Sequence, residues 1–284
     1  MEILRTPGEM RAWTDVRRSL GRRIGFAPTM GFLHAGHTSL YDVLRAHGCN
    51  AIAASIFVNP IQFGPGEDFE TYPRDEARDL ETLRGAGVHA VFLPSVADMY
   101  PESSQTFVEV TGVSQGLCGE RRPGHFRGVA TIVAKLFNLV RPHVAAFGEK
   151  DFQQLAVLRR MARDLDFGIE VVGAPIVREP DGLAMSSRNK YLAGDDRIAA
   201  LCLSRGLSRA QALYSAGERD PQALVAVVRR EIEGEPRAAL EYVEARDPET
   251  LAPLSVPSGA ITLLVAAQLG PARLIDNTTL HQGG

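Results

Sequence analysis

Apolar runs of strand length recur along the N-terminal part of the chain. Each breaks off into a polar turn that leads toward a segment with helical spacing. Arg23 to Ala27 is followed by Pro28-Thr29-Met30-Gly31-Phe32-Leu33-His34-Ala35-Gly36-His37, and then by apolar side chains at helical intervals through Thr38 to Leu44. Ala51 to Val58 stops at Asn59-Pro60-Ile61-Gln62-Phe63-Gly64. Asp75 to Arg84 is helical in pattern, Gly85 and Gly87 close it, and Val88 to Leu93 is a third apolar run. Val144 to Phe147 enters Gly148-Glu149-Lys150-Asp151 and the helical stretch Phe152 to Asp164, after which Ile169 to Val172 is strand-like again. Continuous apolar runs, unlike alternating ones, mark strands covered on both faces. A repeated strand–helix unit of this kind predicts a parallel sheet with helices on both sides, where ligands bind beyond the carboxyl ends of the strands.

Gln105 to Val110 reads as another strand, followed by a glycine- and arginine-rich loop from Gly116 to Gly128 and a helix over Val129 to Val140. Val177 to Asn189 reads as a hairpin or turn that enters a polar loop. From about Asp195 the composition shifts to alanine-rich helix, Ile198 to Ala216 and Pro221 to Glu233, and Leu240 to Arg246, Ala260 to Ala267 and Ala272 to Asp276 resemble strands of a small sheet. The predicted architecture is α/β: a Rossmann-like doubly wound parallel sheet over residues 1–189, with a smaller C-terminal α+β domain over 190–284.

Composition narrows the partners. A formal net charge of −3 on 284 residues offers no broad attraction to nucleic acid or anionic lipid, so recognition of an anion has to come from a local constellation. Cys49, Cys118 and Cys202 are odd in number and far apart, as expected of reduced thiols rather than a disulfide framework. The charged stretch Met1 to Leu20 has no signal-peptide core and no run reaches membrane-spanning length, so the expected setting is cytoplasmic.

The turn from Pro28 to His37 carries the strongest chemical expectation. A strand-to-helix turn leaves backbone N–H groups unpaired with partial positive charge, which suits a phosphate. His34 and His37 stand at i and i+3, so a helix starting near Ala35 puts both imidazoles on one side of its first turn. The plainer reading is a histidine acting as a partial helix cap. A metal reading lacks a nearby third ligand, so no protein-held metal is expected. Lys150 follows a strand end, where an ammonium reaches anions as a compact point charge, and Arg188 beside Ser186 and Ser187 can grip a phosphate with its planar fork. Gln62 and Gln154 carry amides that both donate and accept, which suits a substrate with hydroxyls and a carboxylate. No P-loop and no Gly-x-Gly-x-x-Gly fingerprint occurs. Donor-rich, carboxylate-poor strand ends point to a nucleoside triphosphate and a second anionic substrate.

His34-Ala35-Gly36-His37 resembles the His-x-Gly-His signature of the nucleotidyltransferase and class I aminoacyl-tRNA synthetase superfamily. Met185-Ser186-Ser187-Arg188-Asn189 stands in the place of its Lys-Met-Ser-Lys-Ser loop. The longer segments Pro28 to His37, Phe57 to Phe63, Tyr72-Pro73-Arg74, Arg122 to Val129, Phe147 to Gln154 and Arg178 to Asn189 together resemble the pantoate–β-alanine ligase family, with looser matches at Tyr242-Val243-Glu244 and Arg273 to Asn277. The resemblance implies an ATP-dependent ligase of pantothenate biosynthesis. In it, pantoate and ATP form a pantoyl adenylate and pyrophosphate, and β-alanine then displaces AMP. It also implies magnesium on the phosphates, a homodimer, and contacts to ATP from Met30, Gly31, Phe32, Leu33, His34, Ala35, Gly36, His37, Gly148, Glu149, Lys150, Asp151, Val177, Met185, Ser186, Ser187 and Arg188. Gln62, Gln154 and Asn59 are implied in holding the other substrates. Catalysis falls to His37, as proton donor or as positioned hydrogen-bond donor, with His34, Lys150 and Arg188. Another nucleotidyltransferase of the same superfamily is the alternative. A tRNA-binding module would need a basic surface that the acidic balance does not offer.

Overall fold

A three-residue strand, β1 (Glu2–Leu4), and a helix, α1 (Pro7–Ser19), precede the first expected strand, and the sequence reading passes over both. The start of α1 was nevertheless written in the chain. Thr6 Oγ1 accepts from the Glu9 N–H at 3.2 Å, the Glu9 carboxylate accepts from the Thr6 N–H at 2.9 Å, and Pro7 occupies the first turn. The computed structural model describes residues 1–256 and 259–281. The elements that follow are β2 (Ile24–Thr29), α2 (Ala35–Ala46), β3 (Ala51–Ile56), α3 (Glu76–Gly85), β4 (Ala90–Phe92), α4 (Val96–Met99), α5 (Leu117–Arg121), α6 (His125–Val140), β5 (Val144–Gly148), α7 (Phe152–Asp164) and β6 (Glu170–Ala174).

Among the described residues six strands form one sheet in the order β1-β4-β3-β2-β5-β6, and every pairing is parallel. Alternate strand residues serve opposite faces, as the pleat requires. Ile24, Phe26, Ala145 and Phe147 pack with Trp13 of α1 and with Val133, Phe137 and Leu158 of α6 and α7. Ala27, Ile52, Val144 and Ala146 pack with Leu40, Tyr41 and Leu44 of α2 and with Leu80 and Leu83 of α3. The doubly wound α/β expectation therefore holds. The chain runs outward from β2 through β3 to β4, then returns to lay β5 on the other side of β2, so the winding reverses between β2 and β5.

The expected strand over Gln105 to Val110 does not form. That stretch is held to α6 by side chains instead of by a backbone ladder: Val108 N–H donates to Thr131 Oγ1 at 2.9 Å, and the Arg127 guanidinium lies 4.0 Å from the Phe107 ring centroid. Without a neighbouring strand, β propensity alone does not make one.

Contacts divide the chain into one unit of Met1–Glu149 with Gln153–Pro175, and another of Lys150–Phe152 with Ile176–Gly284. Residues 176–189, which the sequence reading counts with the first domain, fall in the second unit. That unit continues with α8 (Gly194–Ala199), α9 (Leu201–Ser215), α10 (Pro221–Glu233), β7 (Ala238–Arg246), β8 (Ile261–Leu269) and β9 (Ala272–Leu280). β7, β8 and β9 form an antiparallel sheet in that order, and Leu203, Leu207, Leu224 and Val228 of the helices share a core with Val243, Leu263 and Leu274 of the strands.

Candidate active site

β3, β2 and β5 are adjacent and parallel, so the segments after their carboxyl ends lie along one edge of the sheet, at the point where the winding reverses. Those segments are Asn59–Gln62, Met30–His37 and Gly148–Glu149.

The turn after β2 is built by side chains bonding to backbone. Thr29 Oγ1 donates to Ser55 O at 2.9 Å and accepts from the Gly31 N–H at 3.3 Å. Gly31 at φ +86° and Phe32 at φ +51° are both left-handed, a conformation that costs a non-glycine residue on the order of 1 kcal/mol. A buried carboxylate holds it: Asp79 of α3 accepts from the Phe32 and Leu33 N–H groups, each at 2.7 Å. Burial pushes the Asp79 carboxyl upward, against the pull of the Leu33 and Phe32 amides. These two N–H groups were expected to be unpaired and open to a phosphate. They are instead committed to an internal anion, because α3 delivers a carboxylate from elsewhere in the chain.

α2 then starts at a capping box made of two imidazoles. His34, extended at φ −142°, accepts the Gly36 N–H on its Nδ1 at 3.1 Å, and His37 Nδ1 accepts the His34 N–H at 3.2 Å. This is the reciprocal pattern normally made by Ser or Thr with Glu. Accepting at Nδ1 requires a lone pair there, so in the neutral ring the proton sits on Nε2. Both rings therefore present Nε2–H as a donor, with centroids 4.0 Å apart and planes tilted by 46°. The partial-cap reading of the histidines holds, and each ring commits Nδ1 to it.

After β3, Asn59 is buried, taking the Tyr100 hydroxyl on its Oδ1 at 2.8 Å and donating from Nδ2 to Gln62 Oε1 at 3.0 Å and to Gly128 O at 3.1 Å. That fixes the Gln62 amide: its Oε1 is taken, and its Nε2 faces Met30 Sδ at 3.1 Å. Met30 and Gln62, distant in sequence, thus meet. The backbone of Gln62 is also gripped. His125 Nδ1 lies 2.9 Å from Gln62 O, and Arg122 Nη1 lies 3.0 Å from His125 Nε2. A carbonyl only accepts and a guanidinium only donates, so in the neutral ring the His125 proton sits on Nδ1. Arg122 also forks onto Glu67 at 2.7 and 2.6 Å. Burial pushes the Glu67 carboxyl up, but the Arg122 hydrogen bonds and charge outweigh it and hold the group below its usual range. Gly128 permits this approach, since a Cβ there would stand 2.4 Å from Ile61 O and 2.7 Å from Gln62 Cα.

After β5, Glu149 lies against Gly173, where a Cβ would meet its Oε1 at 2.7 Å. Gln154 of α7 is half-buried. Its neighbour Gln153 is the structural member of the pair, accepting the Cys118 N–H at 3.0 Å and donating to Val113 O, Gln115 O and Gly116 O at 3.2 Å each.

The second unit holds the remaining candidates. Residues 177–185 form the expected hairpin, bridged at Arg178 and Ala184, with Met185 N–H donating to Val177 O at 2.9 Å. Ser186 caps the following turn, its Oγ accepting the Arg188 N–H at 3.3 Å, and Asn189 donates to Glu179 Oε1 at 2.6 Å and to Ala184 O at 3.1 Å. Two neighbours on β9 anchor separate pieces: Asp276 takes both Nη atoms of Arg178 at 2.7 and 3.0 Å, and Asn277 Nδ2 donates to Lys150 O at 3.0 Å. Sequence reasoning missed Asp79, Tyr100, Glu67, Asp276 and the role of His125. For Asp79 a signal existed: it is an acid among the core-facing positions Leu80 and Leu83 of a helix that Asp75 already caps through the Arg78 N–H at 3.1 Å.

A doubly wound parallel sheet with a paired-histidine turn at its switch point defines the fold as α/β of the Rossmann-like kind. The chain matches the pantoate-beta-alanine ligase family over residues 2–279 and belongs to it. It is 51% identical over 281 residues to the pantothenate synthetase of Heliobacterium modesticaldum, covering 99% of this chain and 100% of that one. It is 54% identical over 283 residues to the pantothenate synthetase of Myxococcus xanthus, covering 98% and 96%. Among solved structures, the pantothenate synthetase of Thermus thermophilus superposes with a TM-score of 0.93 at 44% identity, covering 99% of this chain and 100% of that one. The pantoate-beta-alanine ligase of Francisella tularensis, complexed with beta-gamma ATP and beta-alanine, does so with a TM-score of 0.79 at 31% identity, covering 100% and 99%.

Proposed function

We propose that this chain joins pantoate to β-alanine at the expense of ATP through a pantoyl adenylate. A pantoate carboxylate oxygen attacks the α-phosphorus of ATP, and the bond from that phosphorus to the bridging oxygen breaks, releasing pyrophosphate. The β-alanine amine then attacks the acyl carbon, the acyl–phosphate bond breaks, AMP leaves and the amine gives up a proton. The observation that carries the reading is the paired-histidine cap that opens α2 at the switch point of the sheet. Family membership and the ligand-bound Francisella tularensis relative support it.

Attack of one anion on another needs charge neutralisation and alignment more than covalent help from the protein. In this reading His34 and His37 donate to phosphate oxygens where charge develops, and His37 acts as a positioned donor because a pyrophosphate leaving group needs little protonation. Lys150 and Arg188 supply positive charge, the Ser186–Arg188 turn supplies hydroxyls and amides, and Gln62, Asn59 and Gln154 orient pantoate. Magnesium enters with the nucleotide as part of the substrate. Among the described residues no group of three or more His, Cys, Asp or Glu that could hold a metal ion is found. No described helix is long and apolar enough to cross a membrane. A homodimer and a cytoplasmic setting belong to the same reading.

The test is a coupled assay. ATP and pantoate should release pyrophosphate, and AMP and pantothenate should accumulate once β-alanine is added. Pyrophosphate release that is indifferent to pantoate would overturn the reading.

A further inference from the structure

We propose that Asp79 is a positioning residue for the reaction: by holding the N–H groups of Phe32 and Leu33, its carboxylate sets the turn from which His34 and His37 are presented. The inference rests on the ligase reading above and adds to it a residue outside every motif of the turn.

Asp79 is not needed where it stands for the sake of its own helix. Asp75 already caps α3, and Asp79, in the first turn of the same helix, turns both carboxylate oxygens onto the Phe32 and Leu33 amides. It is 2% exposed, and a carboxylate removed from water is costly unless it is strongly hydrogen-bonded. Its two 2.7 Å bonds run to consecutive amides of a left-handed turn, an arrangement that concentrates N–H groups on one anion. Gly31 completes the fit. A Cβ there would stand 2.9 Å from Asp79 Oδ2 and 2.9 Å from Ile56 Cγ2, so the turn approaches the carboxylate this closely only without a side chain. The Arg78 guanidinium lies 4.8 Å from the Phe32 ring centroid and fixes the outer side of the same turn.

The consequence reaches the histidines directly. Leu33, held by Asp79, is followed by His34, whose N–H is bound by His37 Nδ1 and whose own ring caps Gly36. Releasing the Phe32 and Leu33 amides would free the chain entering that cap and reorient both rings together. The internal carboxylate also occupies the two amides that a phosphate could otherwise claim.

The experiment compares wild-type, Asp79→Asn and, as a control, Glu81→Gln at an exposed position on the same helix. Asparagine keeps the shape and one acceptor but turns an NH2 toward a backbone N–H. For folded Asp79→Asn, kcat for pyrophosphate release from ATP and pantoate should fall about 10²-fold, the loss typical of displaced catalytic groups. KM for pantoate should change little, pre-formed pantoyl adenylate should still react with β-alanine, and Glu81→Gln should match wild-type. An unchanged kcat, or an equal loss in both half-reactions, overturns the proposal. If Asp79→Asn does not fold, amide exchange in the wild-type decides. Protected Phe32 and Leu33 amides support the carboxylate contact, and exchange at open-loop rates overturns it. A wild-type protein that releases no pyrophosphate overturns the ligase reading instead, and the amide exchange reports on Asp79 regardless.

Discussion

A histidine whose Nδ1 already accepts a backbone N–H does its chemistry through Nε2, and this division of labour governs what substitution at His37 should do. His37→Ala removes both the Nε2–H donor and the acceptor for the His34 N–H. Adenylate formation should fall by about 10²–10³ in kcat, the loss seen when one transition-state donor is removed, while pre-formed adenylate still reacts with β-alanine. Rapid-quench measurement of both half-reactions checks this, and equal losses would take His37 out of the first step. At Gly128 the constraint is steric. A methyl group there meets backbone at 2.4 and 2.7 Å, neither of which belongs to a flexible side-chain end. Gly128→Ala should cost about 1–3 kcal/mol of stability as an overpacking change and raise KM for pantoate by shifting Gln62. Chemical denaturation and steady-state kinetics read the two effects separately.

Between elements, polar side chains fix backbone segments that no ladder holds. Arg122 joins Glu67, His125 and, through His125, Gln62, so one guanidinium ties the irregular segment after β3 to the start of α6. In the second unit the Arg178–Asp276 pair ties the 177–185 hairpin to β9. Asp276 is buried and Arg178 is one-third exposed. Breaking a fully buried pair costs about 3–5 kcal/mol, and the partial exposure of the arginine lowers the expectation for Asp276→Ala to about 2 kcal/mol. Urea unfolding would test it, and a loss below about 0.5 kcal/mol, the ordinary range for surface changes, would show the pair to be energetically idle.

Over the whole molecule, two histidines staple the amino ends of the central strands. His89 N–H donates to Ile52 O at 2.8 Å while its Nδ1 accepts the Ile52 N–H at 3.0 Å, and His143 does the same with Ile24 at 2.8 and 2.9 Å. Burial, then the charges of Arg17 and Arg45 around His89 and of Arg18 and Arg23 around His143, depress both below the usual 6.5. The folded state therefore holds fewer protons than the unfolded chain just below pH 6.5. The stability contributed by the two histidines is complete above that pH and is lost as the pH falls through their depressed values. Calorimetry between pH 7.5 and about 5 should show Tm falling on acidification, less steeply when His89 and His143 are both replaced by Asn, whose Oδ1 can accept the same N–H. Parallel slopes would exclude the staples as the cause.

The doubly wound sheet, the helix start near Ala35, the hairpin at 177–185 and the C-terminal strands were legible in the sequence. Each rests on local periodicity or a local turn, and a buried parallel strand announces itself by an unbroken apolar run. The expected strand at Gln105 to Val110 was not decided locally, since a strand exists only where another offers its ladder. The histidine pair was likewise visible as a pattern, but not which nitrogen each ring keeps for the backbone. Least legible was Asp79, which lies 47 and 46 positions along the chain from the amides it binds. Composition and spacing identify a turn suited to anions. Only packing α3 against that turn decides that the first anion it receives is the protein's own, because burial makes an unpaired carboxylate and two unpaired N–H groups costly until they satisfy one another.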